Sequence, residues 1–353
     1  MLTILVTGAA GLVGGEVCAR LVARGHRVLA LVRNTREVRG NDGQLVPVAG
    51  VLEGDVALPG LGIAEGALGA AVPPPDLVVH CAAITRFDAS EADYERVNVG
   101  GTREVVAFCE AHGAALLHVG TAYVCGPRDG PIGEGDALPA SFANGYEASK
   151  AEGEKVIRAS GLSWAIARPS IVTGDSTSGA IRKFDTTYAL FRLISEGFVR
   201  HLPATPDATL DFVPIDHVAG GIVALAEAME QAAGGTFHLV SGDPLPVADF
   251  AEVIASCEGF HAPELVEPDG FDPDALPPRE RRLYRRVAAL YASYFQRNPR
   301  FDDANFRALN GMAGPATGPA YLRRLIEYCR ETGFLSARPD SAAPAAPARR
   351  RPT

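Results

Sequence analysis

The chain has 353 residues, 47% of them hydrophobic, enough for one large domain or a large domain with a small companion. Lys and Arg number 33 against 42 Asp and Glu; the formal net charge of −9 argues against general binding to a nucleic-acid backbone. No run of roughly 18 apolar residues is free of charge, so nothing reads as a membrane span. Met1-Leu2-Thr3-Ile4-Leu5-Val6 lacks a basic stretch and a cleavage-like site, so it is expected to be a strand and not a signal peptide. Cys18, Cys81, Cys109, Cys125, Cys257 and Cys329 form no C-x-x-C pair. They are expected as small buried residues of a reduced, cytoplasmic protein, with no disulfide frame and no metal site.

Along the first half, apolar strands alternate with helical segments. Thr3 to Thr7 reads as a strand ending in a glycine turn, followed by a helix with Val13, Val17 and Leu21 on one face and a stop near Gly25. Val28 to Val32, Leu77 to Cys81, Leu116 to Gly120 and Trp164 to Ala167 read as further buried strands, the second of them after the stiff Pro73-Pro74-Pro75. Such a series predicts an α/β fold: a doubly wound parallel sheet of Rossmann type, covered on both faces.

After Val172 the pattern loosens. Phe184 to Ile194 reads as a helix, and His201 to Thr209 as a proline-bearing loop. Asp216 reads as the N-cap of a helix through Met229, and Thr236 to Val240 as a strand. A basic helix is expected from Pro278 to about Gln296, with Leu283, Val287, Leu290, Tyr291 and Tyr294 as its apolar face; a shorter one covers Tyr321 to Glu331. The expected division is a dinucleotide-binding core over 1–172, with strands returning at about 210–258. A smaller, mostly helical substrate subdomain would comprise 173–209 and 259–336, with a disordered tail over 337–353.

The turn Thr7-Gly8-Ala9-Ala10-Gly11-Leu12-Val13-Gly14 is G-x-x-G-x-x-G between a strand and a helix. Gly8 permits the tight turn and Gly11 lets backbone N–H groups approach a pyrophosphate. Gly14 lets the helix pack closely on the sheet. Thr7, Leu12 and Val13 belong to the same cradle. An acidic residue ending the second strand would bind ribose hydroxyls and repel a 2′-phosphate; this chain has Arg33 there, which favours NADPH. Asp55 and Val56 are placed in the next loop, at the adenine. Cys81-Ala82-Ala83 supplies small side chains that leave room for the cofactor.

Tyr146 and Lys150, in Tyr146-Glu147-Ala148-Ser149-Lys150, are four apart and share a helical face. A phenol titrates near 10, and a nearby ammonium lowers that value. Lys150 is expected to do this while holding the nicotinamide ribose. Thr121, just past a strand, is placed to hydrogen-bond the substrate oxygen beside Tyr146.

These motifs resemble the extended short-chain dehydrogenases/reductases over about residues 1–258. The resemblance implies a catalytic triad of Thr121, Tyr146 and Lys150. It implies that Asn98 supports the lysine or a proton relay, and that Pro169, Ser170 and Ile171 pass the nicotinamide carboxamide. The run Ser141 to Glu154, with Thr121-Ala122-Tyr123-Val124 and Asp211-Phe212-Val213-Pro214-Ile215-Asp216, is most similar to thioester reductase domains and fatty acyl reductases. That implies NADPH-dependent reduction of a CoA- or carrier-bound acyl thioester to an aldehyde, with a second round giving the alcohol. The substrate would be met free or on a separate acidic carrier protein, docked at the basic helix 279–296. A ketone or alcohol oxidoreductase of steroid or flavonoid type and a nucleotide-sugar epimerase or dehydratase remain the alternatives, as does a catalytically silent regulator. The oligomeric state is left open.

Overall fold

The structure is a computed structural model and describes residues 1–69 and 72–335. The expected tail at 337–353 lies outside the described residues. Seven parallel strands form the central sheet, in the spatial order Thr236–Leu239, Trp164–Pro169, Ala115–Val119, Leu77–His80, Thr3–Thr7, Arg27–Val32, Gly50–Glu53. The chain builds outward from Thr3–Thr7 on one side, then crosses to the other at Leu77–His80. Those two strands stay paired to their carboxyl ends, Thr7 opposite His80, and beyond them lies the switch point where doubly wound sheets bind ligands.

Alternation along each strand feeds two cores. Ile4, Val6, Val28 and Ala30 face the helices Leu12–Ala23 and Ile215–Glu227 through Val17, Leu21, Val218 and Ile222. Leu5, Leu29, Val78 and Leu116 face the opposite helices Gly100–His112 and Gly145–Arg158 through Val105, Phe108 and Ile157. A third core, from the chain after Val172, gathers Tyr188, Phe191, Phe212, Phe250, Tyr294 and Phe295. Among the described residues no helix is long and apolar enough to cross a membrane, and no group of three or more His, Cys, Asp or Glu is placed to hold a metal.

Several elements depart from expectation. Gly50–Glu53 is a seventh sheet strand; only Leu52 in it is buried, as suits a short edge strand. The expected loop after His201 contains His201–Pro203, paired in parallel with Glu264–Val266, and Thr209–Leu210, paired antiparallel with Leu245–Pro246. Asp216 does not cap its helix. The helix starts at Ile215, directly off the strand Phe212–Pro214, and the Asp216 carboxylate instead accepts from Ser176 N and Oγ at 2.8 and 2.7 Å. That helix ends at Glu227, short of Met229.

The basic helix is present as a continuous helical run over 278–295 with a widened turn at Tyr284–Ala288. Tyr291 and Tyr294 are buried as expected, together with Tyr284, Ala288 and Phe295, while Leu283, Val287 and Leu290 are half-buried, the widened turn shifting the buried stripe in the first part of the helix.

Candidate active site

The glycine turn is shaped by contacts that admit no side chain. Gly8 has φ +67°, and a Cβ there would stand 2.8 Å from the Ala82 backbone; a Cβ on Gly14 would stand 2.3 Å from Gly8 O. Gly11 N donates to Gly8 O at 2.8 Å, which closes the turn and starts the helix at Leu12 with its free N–H groups facing the crevice. Thr7 points the other way: its Oγ1 lies 2.7 Å from His80 Nδ1 and accepts from Ala82 N, tying the first strand to the Cys81-Ala82-Ala83 corner. This cradle fits a dinucleotide pyrophosphate.

Arg33 is more than half exposed at the end of its strand, with Nη1 3.5 Å from Asp55 Oδ2. Asp55 Oδ1 caps Ala57 N, and Val56 is buried against Gly101. Arg36 extends the positive charge along this edge and pairs with Glu53 at 2.7 Å.

A cavity of about 330 Å³ runs from Gly8, Gly11 and Val13 past Cys81 and Ala83 to Thr121, Tyr146 and Lys150. Pro169, Ser170 and Ile171 form its opposite wall. Ser170 Oγ donates to the buried Asp211 carboxylate at 2.5 Å, and Ser241 N donates to the same oxygen at 2.9 Å, so this wall is held by residues far along the chain. The inner end is aromatic, with Phe87, Phe191, Phe212, Tyr291, Tyr294 and Phe295.

Thr121 and Tyr146 both line the cavity at the junction of the two ends, with the threonine hydroxyl near enough to act on the phenol. Thr121 Oγ1 also accepts from Tyr123 N in the turn that follows the strand. The Tyr146 ring stacks on Phe87 at 5.6 Å between centroids. Burial pushes the phenol well above its ordinary value, the Glu147 charge adds to this, and only Thr121 opposes it. The expected lowering by Lys150 is absent, because the ammonium is held elsewhere. Lys150 Nζ donates to Val119 O at 2.7 Å and lies 3.3 Å from His118 Nε2. Burial pulls Lys150 down to about 8 against the opposing pull of Glu154 and Cys81.

Asn98 is buried close by, but its side chain is committed. Oδ1 accepts from Ile84 N at 2.8 Å, and Nδ2 donates to Ile84 O and to Ser149 Oγ at 3.0 and 2.9 Å. It therefore fixes the segment before Thr85, a lining residue, and the helix that carries Tyr146, without touching Lys150.

The sequence pattern did not reveal three further groups. His118 faces Lys150 from the strand beneath; burial and the neighbouring ammonium hold it well below its ordinary value, so it is a neutral acceptor. Arg168 locks the Tyr146 helix to the sheet through two bonds to the buried Glu154, at 2.8 and 2.6 Å. Glu147, next to Tyr146, pairs with Arg297 at 2.5 Å, and that guanidinium lies 4.8 and 4.6 Å from the rings of Tyr123 and Tyr294. The charge reversal in sequence between 147 and 297 carries no local signal that could have found it.

A family profile described as Male sterility protein matches residues 6–222. The chain is 30% identical over 271 residues to the 4-hydroxy-2-methyl-3-oxo-4-farnesyl-3,4-dihydroquinoline-1-oxide ketoreductase of Stigmatella aurantiaca, a match covering 73% of each chain. It is 30% identical over 227 residues to a linear gramicidin synthase polypeptide of Brevibacillus parabrevis, covering 61% of this chain and 4% of that polypeptide. The terminal R domain of the myxalamid PKS-NRPS pathway shares the fold, with a TM-score of 0.79 at 24% identity, covering 95% of this chain and 92% of that domain. The chain belongs to the male sterility protein family, a thioester-reductase-like branch of the extended short-chain dehydrogenases/reductases, and is a nicotinamide-dependent reductase.

Proposed function

We propose that the protein reduces an acyl thioester to an aldehyde with NADPH, using Thr121, Tyr146 and Lys150. The observation that carries this reading is the meeting of a protonated phenol and a threonine hydroxyl at the mouth of an aromatic chamber. A bound reduced nicotinamide supplies the hydride. Thr121 and Tyr146 then hydrogen-bond the carbonyl oxygen as charge develops on it, and Tyr146 gives its proton to that oxygen. The product is a hemithioacetal, whose C–S bond breaks to leave an aldehyde and a free thiol. A phenol kept protonated by burial suits the reducing direction, because the step consumes a proton. Lys150 orients the ribose with the N–H that Val119 and His118 leave free. Asn98 acts as a positioning residue through Ile84 and Ser149.

NADPH is favoured by Arg33 and Arg36 at the adenosine end, where no carboxylate closes the second strand. Residues 173–209 and 259–336 are assigned the acyl group, since the aromatic end of the cavity draws on both segments. An acidic carrier protein is assigned to the basic helix. Arg281 and Arg285 there are paired with Asp274 at 3.9 and 2.5 Å, but among the described residues Arg282 and Arg286 have no carboxylate within ion-pair reach.

The second reading is reduction of a free ketone, favoured by the 30% identity to a ketoreductase that spans most of both chains. One assay separates the two: NADPH oxidation and thiol release measured together on an acyl-CoA of aromatic or long aliphatic chain. Thioester reduction gives one thiol per first hydride. NADPH oxidation on ketones with no thiol from any thioester overturns it.

A further inference from the structure

Arg182 reaches the glycine turn from the other half of the molecule. Its Nη2 donates to Gly11 O at 2.7 Å, while its Nε is buried without a hydrogen-bond partner. The Gly11 carbonyl does not require this bond, since it already accepts from Gly15 N at 3.1 Å within the helix. Nor does any carboxylate among the described residues stand within ion-pair reach of the guanidinium. Arg39 is the charged group near enough to act on it, and it is a second cation; Arg39 spends its own donors on Glu37 and Gly43 O. Burial and this like charge both work against the cationic form. A half-buried guanidinium with a spare donor and a cationic neighbour is short of an anion.

The segment that carries it is held firmly. Asn41 reaches across with both ends of its amide: Nδ2 donates to Ala180 O at 2.9 Å and Oδ1 accepts from Arg182 N at 3.0 Å. Asn41 N is in turn bonded to Glu16 Oε2 on the first helix. On the far side, Gly179 lies against the Arg324 backbone, and Asp216 fixes Ser176. The guanidinium is therefore delivered to the rim of the turn by a preorganised strap.

We propose that Arg182 is a clamp on the cofactor pyrophosphate: its guanidinium leaves the redundant bond to Gly11 O and takes the phosphate oxygens that the turn's N–H groups hold from the other side. The clamp comes from the substrate half, so both halves of the chain grip the same diphosphate. It is distinct from Arg33 in what it reads. The pyrophosphate is common to NADPH and NADH, whereas Arg33 faces the end where they differ.

The test is titration of nicotinamide fluorescence with NADPH and with NADH on the cofactor-free full chain, for wild type, Arg182→Gln, Arg182→Lys and Arg33→Gln. Glutamine keeps a donor for Gly11 O and removes the charge. The expected result is a loss of both affinities by a similar factor, on the order of tenfold or more, in Arg182→Gln, with part of it restored by lysine. The NADH affinity of Arg182→Gln should also lose part of its dependence on ionic strength, which a merely structural tie would not change. Arg33→Gln should weaken NADPH alone. Unchanged Kd values for both cofactors in Arg182→Gln overturn the clamp. So does a loss confined to NADPH, which would put Arg182 at the 2′-phosphate. A lowered melting temperature of the cofactor-free variant with unaltered Kd would make the contact purely structural and overturns it too.

Discussion

The cofactor half and the substrate half of this protein solve the same packing problem by different means. In the cofactor half, small residues bring backbones together: Gly8 against Ala82, and Gly14 against Gly8 O. In the substrate half, large rings fill the space, as where Phe184 meets Tyr188 and Phe334 within 5.5 Å. Close backbone contact fixes positions to a fraction of an ångström and tolerates no added atom. Ring packing admits other shapes of similar volume. The cofactor thus meets the rigid construction, and on the proposed function the acyl group meets the adaptable one.

The sharpest way to break this comparison is at the seam, where Tyr146 stands. Tyr146→Phe should lower turnover by ~10²–10⁴-fold while leaving the Kd for NADPH near wild type. A steady-state rate close to wild type would remove Tyr146 from the mechanism. The next largest effect is expected across the seam. Arg297→Met strands the buried Glu147 carboxylate and should cost ~3–5 kcal/mol in urea unfolding. Adding Glu147→Gln should recover part of that loss; equal stability of all three proteins would show the pair to be idle.

Within the cofactor half, Arg33→Gln should weaken NADPH by about tenfold and leave NADH unchanged, from one charge-assisted contact in an exposed position. Identical losses for both cofactors would deny Arg33 its place at the 2′-phosphate. The lysine sets a pH limit on the same half. Because burial lowers Lys150 from its usual 10.5 to about 8, its ammonium is present below that pH and lost above it. The value of kcat/KM should therefore fall by about tenfold per unit above pH ~8. A profile flat to pH 10 would break the link between Lys150 and catalysis.

The smallest effect concerns the surface of the substrate half. Arg282→Glu with Arg286→Glu should raise KM for a carrier-bound acyl group a fewfold at low salt, and leave the matching small thioester untouched. Equal behaviour on both substrates would end the docking idea.

How much of this was legible in the sequence follows the same division. The glycine turn was readable because a positive φ at Gly8 and the missing clearance at Gly14 leave glycine as the sole solution, so the requirement is written in the residue itself. The Tyr146 and Lys150 spacing was readable because it lies within one helix. Where Lys150 donates was not, since that depends on how the helix settles over Val119 and His118. The Arg297 partner of Glu147 lies 150 positions away, and Asp211 is 41 positions from Ser170. The edge strand Gly50–Glu53 escaped because one buried residue in four gives no pattern. The face of the basic helix was right at Tyr291 and Tyr294 but displaced at Leu283, Val287 and Leu290 by a single widened turn, which local periodicity cannot anticipate.

The Glu147–Arg297 pair also bears on how such proteins can be cut and recombined. The region that binds the dinucleotide ends, by its strands, near Leu239. Yet a fragment stopped there, or anywhere short of 297, would carry Tyr146 beside an uncompensated buried carboxylate at Glu147. It would also lose the strand Pro299–Phe301 that pairs with Gly130–Ile132. The catalytic half is not a detachable module. A chimera that trades substrate range between relatives would have to leave both flanks of the aromatic chamber joined to the parent helix, and exchange only the rings between them.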